Sequence, residues 1–165
     1  MRFPLMVIIG SLFSVAVQAA DIELTTRVSG VVEEILVKSG QRVKKGTVLL
    51  RLNKTIYQAQ VDEAGAEGER LSAEEAEAKR DLDRAQELYS RTVSSTTELD
   101  AAKLRYTRAK SALTIAEARL IIARKNLMDT ELRAPCNGVV ATLPAAPGVV
   151  VAAECQPEVL VVMRR

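Results

Sequence analysis

Residues 55–129 read TIYQAQVDEAGAEGERLSAEEAEAKRDLDRAQELYSRTVSSTTELDAAKLRYTRAKSALTIAEARLIIARKNLMD. Positions 57, 61, 64, 68, 71, 75, 78, 82, 85 and 89 step by four and three without a break and carry Tyr, Val, Ala, Gly, Leu, Glu, Ala, Leu, Ala and Tyr. Leu99, Ala102, Tyr106, Ala109, Leu113, Ala116, Leu120, Ala123 and Leu127 repeat the pattern over four heptads. This is the spacing of a coiled-coil seam. The seam lapses between Tyr89 and Leu99, where residues 91–97, RTVSSTT, are weak helix formers and good caps. The spacing therefore predicts two helices folded back on each other. Alanine at 102, 109, 116 and 123 and at 64, 78 and 85 lets the backbones approach closely. Glu75, the one charge in the seam, is expected to snorkel to its edge. An arm of about 33 residues reaches about 50 Å at the helical rise.

On either side of this stretch the chain repeats itself. RVSGVVEEILVKSGQRVKKGTVLLRLN over 27–53 aligns at an offset of 108 with the segment opening RAPCNGVVATLPAAPGVVV at 133. Gly30 meets Gly138, Val31-Val32 meet Val139-Val140, Gly40 meets Gly148 and Val43 meets Val151. The second copy lengthens near 153–157, after which Val48-Leu49-Leu50 runs against Val159-Leu160-Val161. Each copy reads as strand, glycine turn, short strand, turn, strand. Three short strands make a marginal sheet. The two copies are therefore expected to pack face to face as a small sandwich around Val32, Ile35, Val37, Val43, Leu49, Val140, Leu143, Val150, Leu160 and Val162. The fold class is α+β, with an antiparallel coiled-coil hairpin inserted into a split β-sandwich. Its boundaries are a first half over 21–53, the hairpin over 54–129 and a second half over 130–163.

The first 19 residues stand apart. Arg2 precedes an apolar run from 5 to 17, and Val17-Gln18-Ala19 is a small-residue exit, the pattern of a cleaved signal peptide. The run is shorter than the roughly 20 residues of a spanning helix, and no Cys follows to take a lipid. The mature chain is expected in the periplasm or associated with the inner membrane. Cys136 and Cys155, with 18 residues between them in an oxidising compartment, are either a disulfide, worth about 3 kcal/mol by loop entropy, or two thiols acting as small hydrophobes.

Composition narrows the function. With no His and only two Cys, the Ser-His and Cys-His nucleophile arrangements, His-ligated zinc and four-thiolate sites are absent. No paired-carboxylate or Ser-Lys motif stands out, so an enzyme is not expected, nor is a metal or cofactor. Removing Arg2 with the leader takes the net charge from +2 to +1, and aromatics are 3% of residues. A nucleic-acid partner is not indicated. The charges sit mostly on the helices, as solvated faces do.

Two glycine-punctuated halves resemble a biotinyl/lipoyl-type domain. A lipoyl-like domain split by a heptad hairpin, with VSGVV and VKKG in its first half and RAPxxGVV opening its second, resembles the periplasmic adaptors, or membrane fusion proteins, of the HlyD-like family. The resemblance covers residues 25–163. It implies a subunit of a tripartite efflux or secretion system, bridging an inner-membrane transporter of RND or ABC type to a TolC-like outer-membrane channel and forming a homo-oligomeric ring. A lipoyl or biotin carrier is disfavoured, because the hairpin occupies the turn where a carrier displays its modified Lys. Lys44, Lys45 and Lys54 read as turn and cap lysines. The contrasting reading is a stand-alone exported structural or regulatory module that oligomerises through its hairpin without touching a channel.

The same resemblance implies channel docking by Arg84, Leu88 and Ser95, which match the family's spacing at the hairpin tip. Each also has a local reading. Ser95 with Glu98 forms a capping box, Leu88 flanks the seam, and Arg84 can pair with Asp81 or Glu87 along its helix. Ile115 and Ile122, seven apart and off the seam, are candidates for lateral contacts. Where some relatives carry a polar ring residue, residues 143–147 are the apolar LPAAP, and a hydrogen-bonded gate is not expected there. Family members usually continue into a β-barrel and a membrane-proximal domain, whereas this sequence ends at Met163-Arg164-Arg165.

Overall fold

The computed structural model of the chain describes residues 21–93, 95–153 and 158–165. The leader expected over 1–19 lies outside them, as does Cys155. Its candidate partner Cys136 is half-buried in the bend before a strand of the second half.

The long insertion is two helices, α1 (Thr55–Ser90) and α2 (Thr96–Asp129), packed along their length. Helix formation follows from Ala, Leu, Glu, Lys and Arg dominating both segments. The seam positions turn inward: Leu71, Leu82, Leu99, Ala102, Ala116 and Ala123 are buried, and Glu75 is half-buried. Tyr89 departs from the expected seam at 43% exposed, because it stands a turn beyond the layer where Leu82, Leu99 and Ala102 close the pair with Ala85 and Tyr106. Lys79 adds a cation–π contact across the pair, its Nζ 5.7 Å from the Tyr106 ring centroid.

The two ends of the hairpin are tied together. The Leu52 N–H, on the chain leaving the sandwich, donates to the Thr130 carbonyl, on the chain returning, at 2.8 Å. The Tyr57 hydroxyl donates to the Ser29 carbonyl at 2.6 Å and fixes the first turn of α1 to the sandwich. Asn53 Oδ1 accepts from the Thr55 N–H at 3.1 Å, satisfying a donor of the helix start.

The remaining chain forms β1 (Asp21–Leu24), β2 (Gly30–Ile35), β3 (Arg42–Val43) and β4 (Val48–Leu52) before the hairpin. After it come β5 (Glu131–Arg133), β6 (Gly138–Thr142), β7 (Val150–Val151) and β8 (Val161–Arg164). They make two four-stranded sheets, ordered β1-β8-β6-β3 and β5-β4-β2-β7. The sandwich expected from the repeat is present, but neither sheet belongs to one copy. The two middle strands exchange: β3 of the first copy pairs with β6, and β7 of the second pairs with β2. A two-residue strand shows too little apolar surface to hold an edge of its own, and the exchange makes the halves inseparable.

The repeat is kept in the register. Val32 faces Leu52 where Val140 faces Met163, and each pair is followed by an irregularity, before Glu34 and before Thr142. Gly30 faces Val151 where Gly138 faces Val43. Gly40 and Gly148 both take positive φ, 82° and 86°, in equivalent turns. The outer strands repeat as well: β1, DIEL, is to β8 what β5, entered through Asp129-Thr130-Glu131-Leu132, is to β4.

The core holds Val28, Val32, Val37, Val43, Leu49, Leu50, Leu52, Val140, Val151, Leu160, Val161 and Met163. Val150 and Val162, expected inside, are not buried; Val150 is 69% exposed. Side chains alternate across a strand, so the registers Val31↔Val150 and Thr142↔Val162 turn both outward and bring in Val151, Val161 and Met163. Ile35 and Leu143 are half-buried against the core.

Candidate functional site at the hairpin tip

The tip is built by a short turn between two long helices. α1 ends as the Arg91 and Thr92 N–H groups turn back to the Glu87 and Tyr89 carbonyls and the Val93 N–H donates to the Leu88 carbonyl at 3.1 Å. Thr92 takes a left-handed φ of 61°, uncommon for a β-branched residue. α2 then starts on a reciprocal capping box: Ser95 Oγ accepts from the Glu98 N–H and Glu98 Oε2 accepts from the Ser95 N–H, both at 3.3 Å. Ser95 is therefore engaged in starting the helix.

Arg84 and Leu88 come together in a shallow groove of about 360 Å³ between the helices, lined also by Asp81, Glu98 and Arg105. Arg84 Nη1 lies 3.3 Å from Asp81 Oδ1, the pair read from the sequence, and its side chain is 70% exposed. The alternative partner Glu87 is taken by Arg91 at 2.6 Å. Asp81 Oδ2 also approaches Arg105 Nη1 of α2 at 4.0 Å. Leu88 is 40% exposed and has Tyr89 and Val93, 43% and 73% exposed, as apolar neighbours on the turn. The groove thus offers a hydrophobic side chain flanked by two arginines, each held by one carboxylate. Ser95 does not line it.

Sequence reading missed Arg105, Tyr89 and Val93. Tyr89 falls on the seam by spacing. Val93 lies in the turn, where no described element faces it. Arg105 joins the site only because α2 passes Asp81 at that height.

A second surface runs along the outside of α2. Ile115 and Ile122 are exposed, as are Leu104, Ile121 and Met128. The helices differ in charge: α1 has ten Asp and Glu against four Lys and Arg, and α2 has four against seven. Lys44, Lys45 and Lys54 are exposed, Lys54 at the N-cap of α1. Among the described residues no group of three or more acidic, His or Cys side chains is placed to hold a metal ion, and no helix is long and apolar enough to cross a membrane.

A family model described as RND MFP, barrel-sandwich hybrid domain, matches residues 20–163. The chain is 32% identical over 127 residues to the uncharacterized protein YdhJ of Escherichia coli (strain K12), covering 77% of this chain and 44% of that protein. It is 29% identical over 119 residues to the efflux pump periplasmic linker BepD of Brucella suis, covering 72% of this chain and 30% of that one. Among solved structures, MacA from Actinobacillus actinomycetemcomitans aligns with a TM-score of 0.65 at 25% identity, over 84% of this chain and 47% of that one. The chain spans less than half the length of these relatives.

Proposed function

This chain belongs to the RND membrane fusion protein family, in its barrel-sandwich hybrid domain, and from that premise we propose that it is a non-enzymatic periplasmic adaptor subunit of a tripartite efflux or secretion system. Its sandwich and hairpin base lie toward an inner-membrane transporter of RND or ABC type. Its hairpin tip docks on a TolC-like outer-membrane channel, with Leu88 entering an apolar notch and Arg84 hydrogen-bonding to carbonyl or carboxylate oxygens beside it.

The observation that carries this reading is the tip itself. The arm is about 50 Å long and closes its seam below with Leu82, Leu99 and Ala102, yet leaves Leu88, Tyr89 and Val93 exposed at its far end. An exposed apolar cluster beside unburied arginines is costly in a lone module and is expected where another surface covers it. Copies of the chain associate side by side into a ring. The acidic α1 of one subunit meets the basic α2 of the next, and Ile115, Ile121 and Ile122 are covered there.

The same α2 face also favours the second reading, a module that oligomerises without a channel. A photo-crosslinking residue at Thr92 separates the two in cells. Adducts to an outer-membrane channel are expected; adducts only between copies of this chain overturn the docking reading and leave the second.

A further inference from the structure

Gly65 and Gly68 sit in the interior of α1, where each lowers helix stability relative to alanine. The usual reasons for a helical glycine are missing. Neither takes a positive φ, and a Cβ built on either meets no atom within 4 Å, so α2 does not pass close enough to require them. They border instead an open groove of about 410 Å³ whose far wall is Leu113, Glu117, Leu120 and Arg124 of α2.

Two further observations fall at the same height. Side-chain pairs brace α1 below and above it, Gln58 to Asp62 on one side and Arg70 to Glu74 on the other, with Arg70 also reaching back across Gly68 to Glu67. Among the described residues no such pair within α1 spans Gly65, and only Arg70–Glu67 spans Gly68. No residue of α1 before Leu71 is fully buried. α2, by contrast, runs past this level with no Gly or Pro anywhere in its 34 residues.

We infer that Gly65 and Gly68 form a bending joint in α1, roughly 15–20 Å above the hairpin base by the helical rise, with continuous α2 as the spine. When the arm leans, the backbone amides and carbonyls of residues 63–69 lengthen their helical hydrogen bonds toward the open groove, where water replaces them. The tip then moves laterally while the Leu82–Leu99 layer and the sandwich keep their packing. The joint does not depend on what the tip binds.

The test is hydrogen exchange on the full chain together with a distance distribution between nitroxides placed by non-cysteine chemistry at Lys54 and Thr92. In the Gly65→Ala/Gly68→Ala variant, opening of amides 61–72 is expected to fall about tenfold to thirtyfold on the difference in helix propensity, and the distribution to narrow. Ala66→Gly, which adds a third glycine at an exposed position, is expected to widen it. Unchanged exchange and unchanged width in both variants overturn the joint. So does a loss of stability in the alanine variant, which would mean that the glycines are there for packing.

Discussion

Asp81 of α1 reaches across the hairpin to Arg105 of α2, Oδ2 to Nη1 at 4.0 Å, while its other oxygen lies 3.3 Å from Arg84. One carboxylate thus orients both arginines of the tip groove. Such exposed pairs contribute about 0–1 kcal/mol, so their role is placement more than stability. Asp81→Asn is expected to shift the unfolding midpoint little. Leu88→Asp, at a 40% exposed position, is expected to leave helicity and stability within about 0.5 kcal/mol while abolishing channel adducts from Thr92. Circular dichroism and urea titration read the first part, crosslinking the second. Undiminished adducts from a folded Leu88→Asp chain would remove Leu88 from docking.

Ser95 has two assigned roles that substitution can separate. Ser95→Ala deletes the acceptor for the Glu98 N–H and is expected to destabilise the chain by about 1 kcal/mol. Ser95→Asp retains a cap acceptor and restores that stability. If the hydroxyl also serves docking, Ser95→Asp stays defective in channel crosslinking although its fold is restored. Recovery of both together would assign Ser95 to the cap alone.

The repeat gives a matched pair of glycines with opposite expectations. A Cβ on Gly138 would stand 2.5 Å from the Arg164 carbonyl oxygen, whereas on Gly30, its equivalent, it meets only Leu52 side-chain carbons at 3.6 Å. Gly138→Ala must push β6 away from β8 and is expected to destabilise by about 1–3 kcal/mol. Gly30→Ala is expected to stay within about 0.5 kcal/mol. Denaturant unfolding of the two variants side by side checks the contrast, and equal effects would contradict the register.

How far this architecture was legible follows from where each signal resides. The hairpin was written in local spacing, and its seam residues turned inward up to Ala85. The repeat was legible too, because Gly40 and Gly148 must recur wherever the same positive-φ turn recurs. The exchange of β3 and β7 was not, since an offset of 108 is the same whether a strand pairs within its copy or across. Burial of Val151 and Met163 is legible in the repeat, which sets them against buried Val43 and Leu52, and not in the apolar character that Val150 and Val162 share with them. The Asp-x-Glu-Leu shared by residues 21–24 and 129–132 announced β1 and β5, although strands this short carry too little pattern to stand out unaided. At the tip, Arg84 and Leu88, expected from the family resemblance, lie four residues apart on one helix face and line one groove. Arg105 depends on how two distant turns cross, which no local pattern records.

Acid sensitivity follows from two exposed ion pairs. Arg164 Nε and Nη2 donate to the two carboxylate oxygens of Asp21 at 2.9 and 3.3 Å, closing β1 onto β8. That hydrogen bonding holds the Asp21 carboxyl below the usual carboxylate range, and Arg70 does the same for Glu67 in α1. Because each carboxyl is more acidic folded than unfolded, its contribution is complete above the unfolded value, about pH 4. It is lost as pH falls through the lower folded value. The thermal midpoint is therefore expected to decline as pH is lowered from about 5 to about 3. Asp21→Asn removes the β1 share of that decline and lowers the midpoint at neutral pH. Both pairs are exposed, so salt screens them and the slope flattens at high ionic strength. An identical acid slope in Asp21→Asn and the parent chain would show that the β1–β8 closure does not depend on this carboxylate.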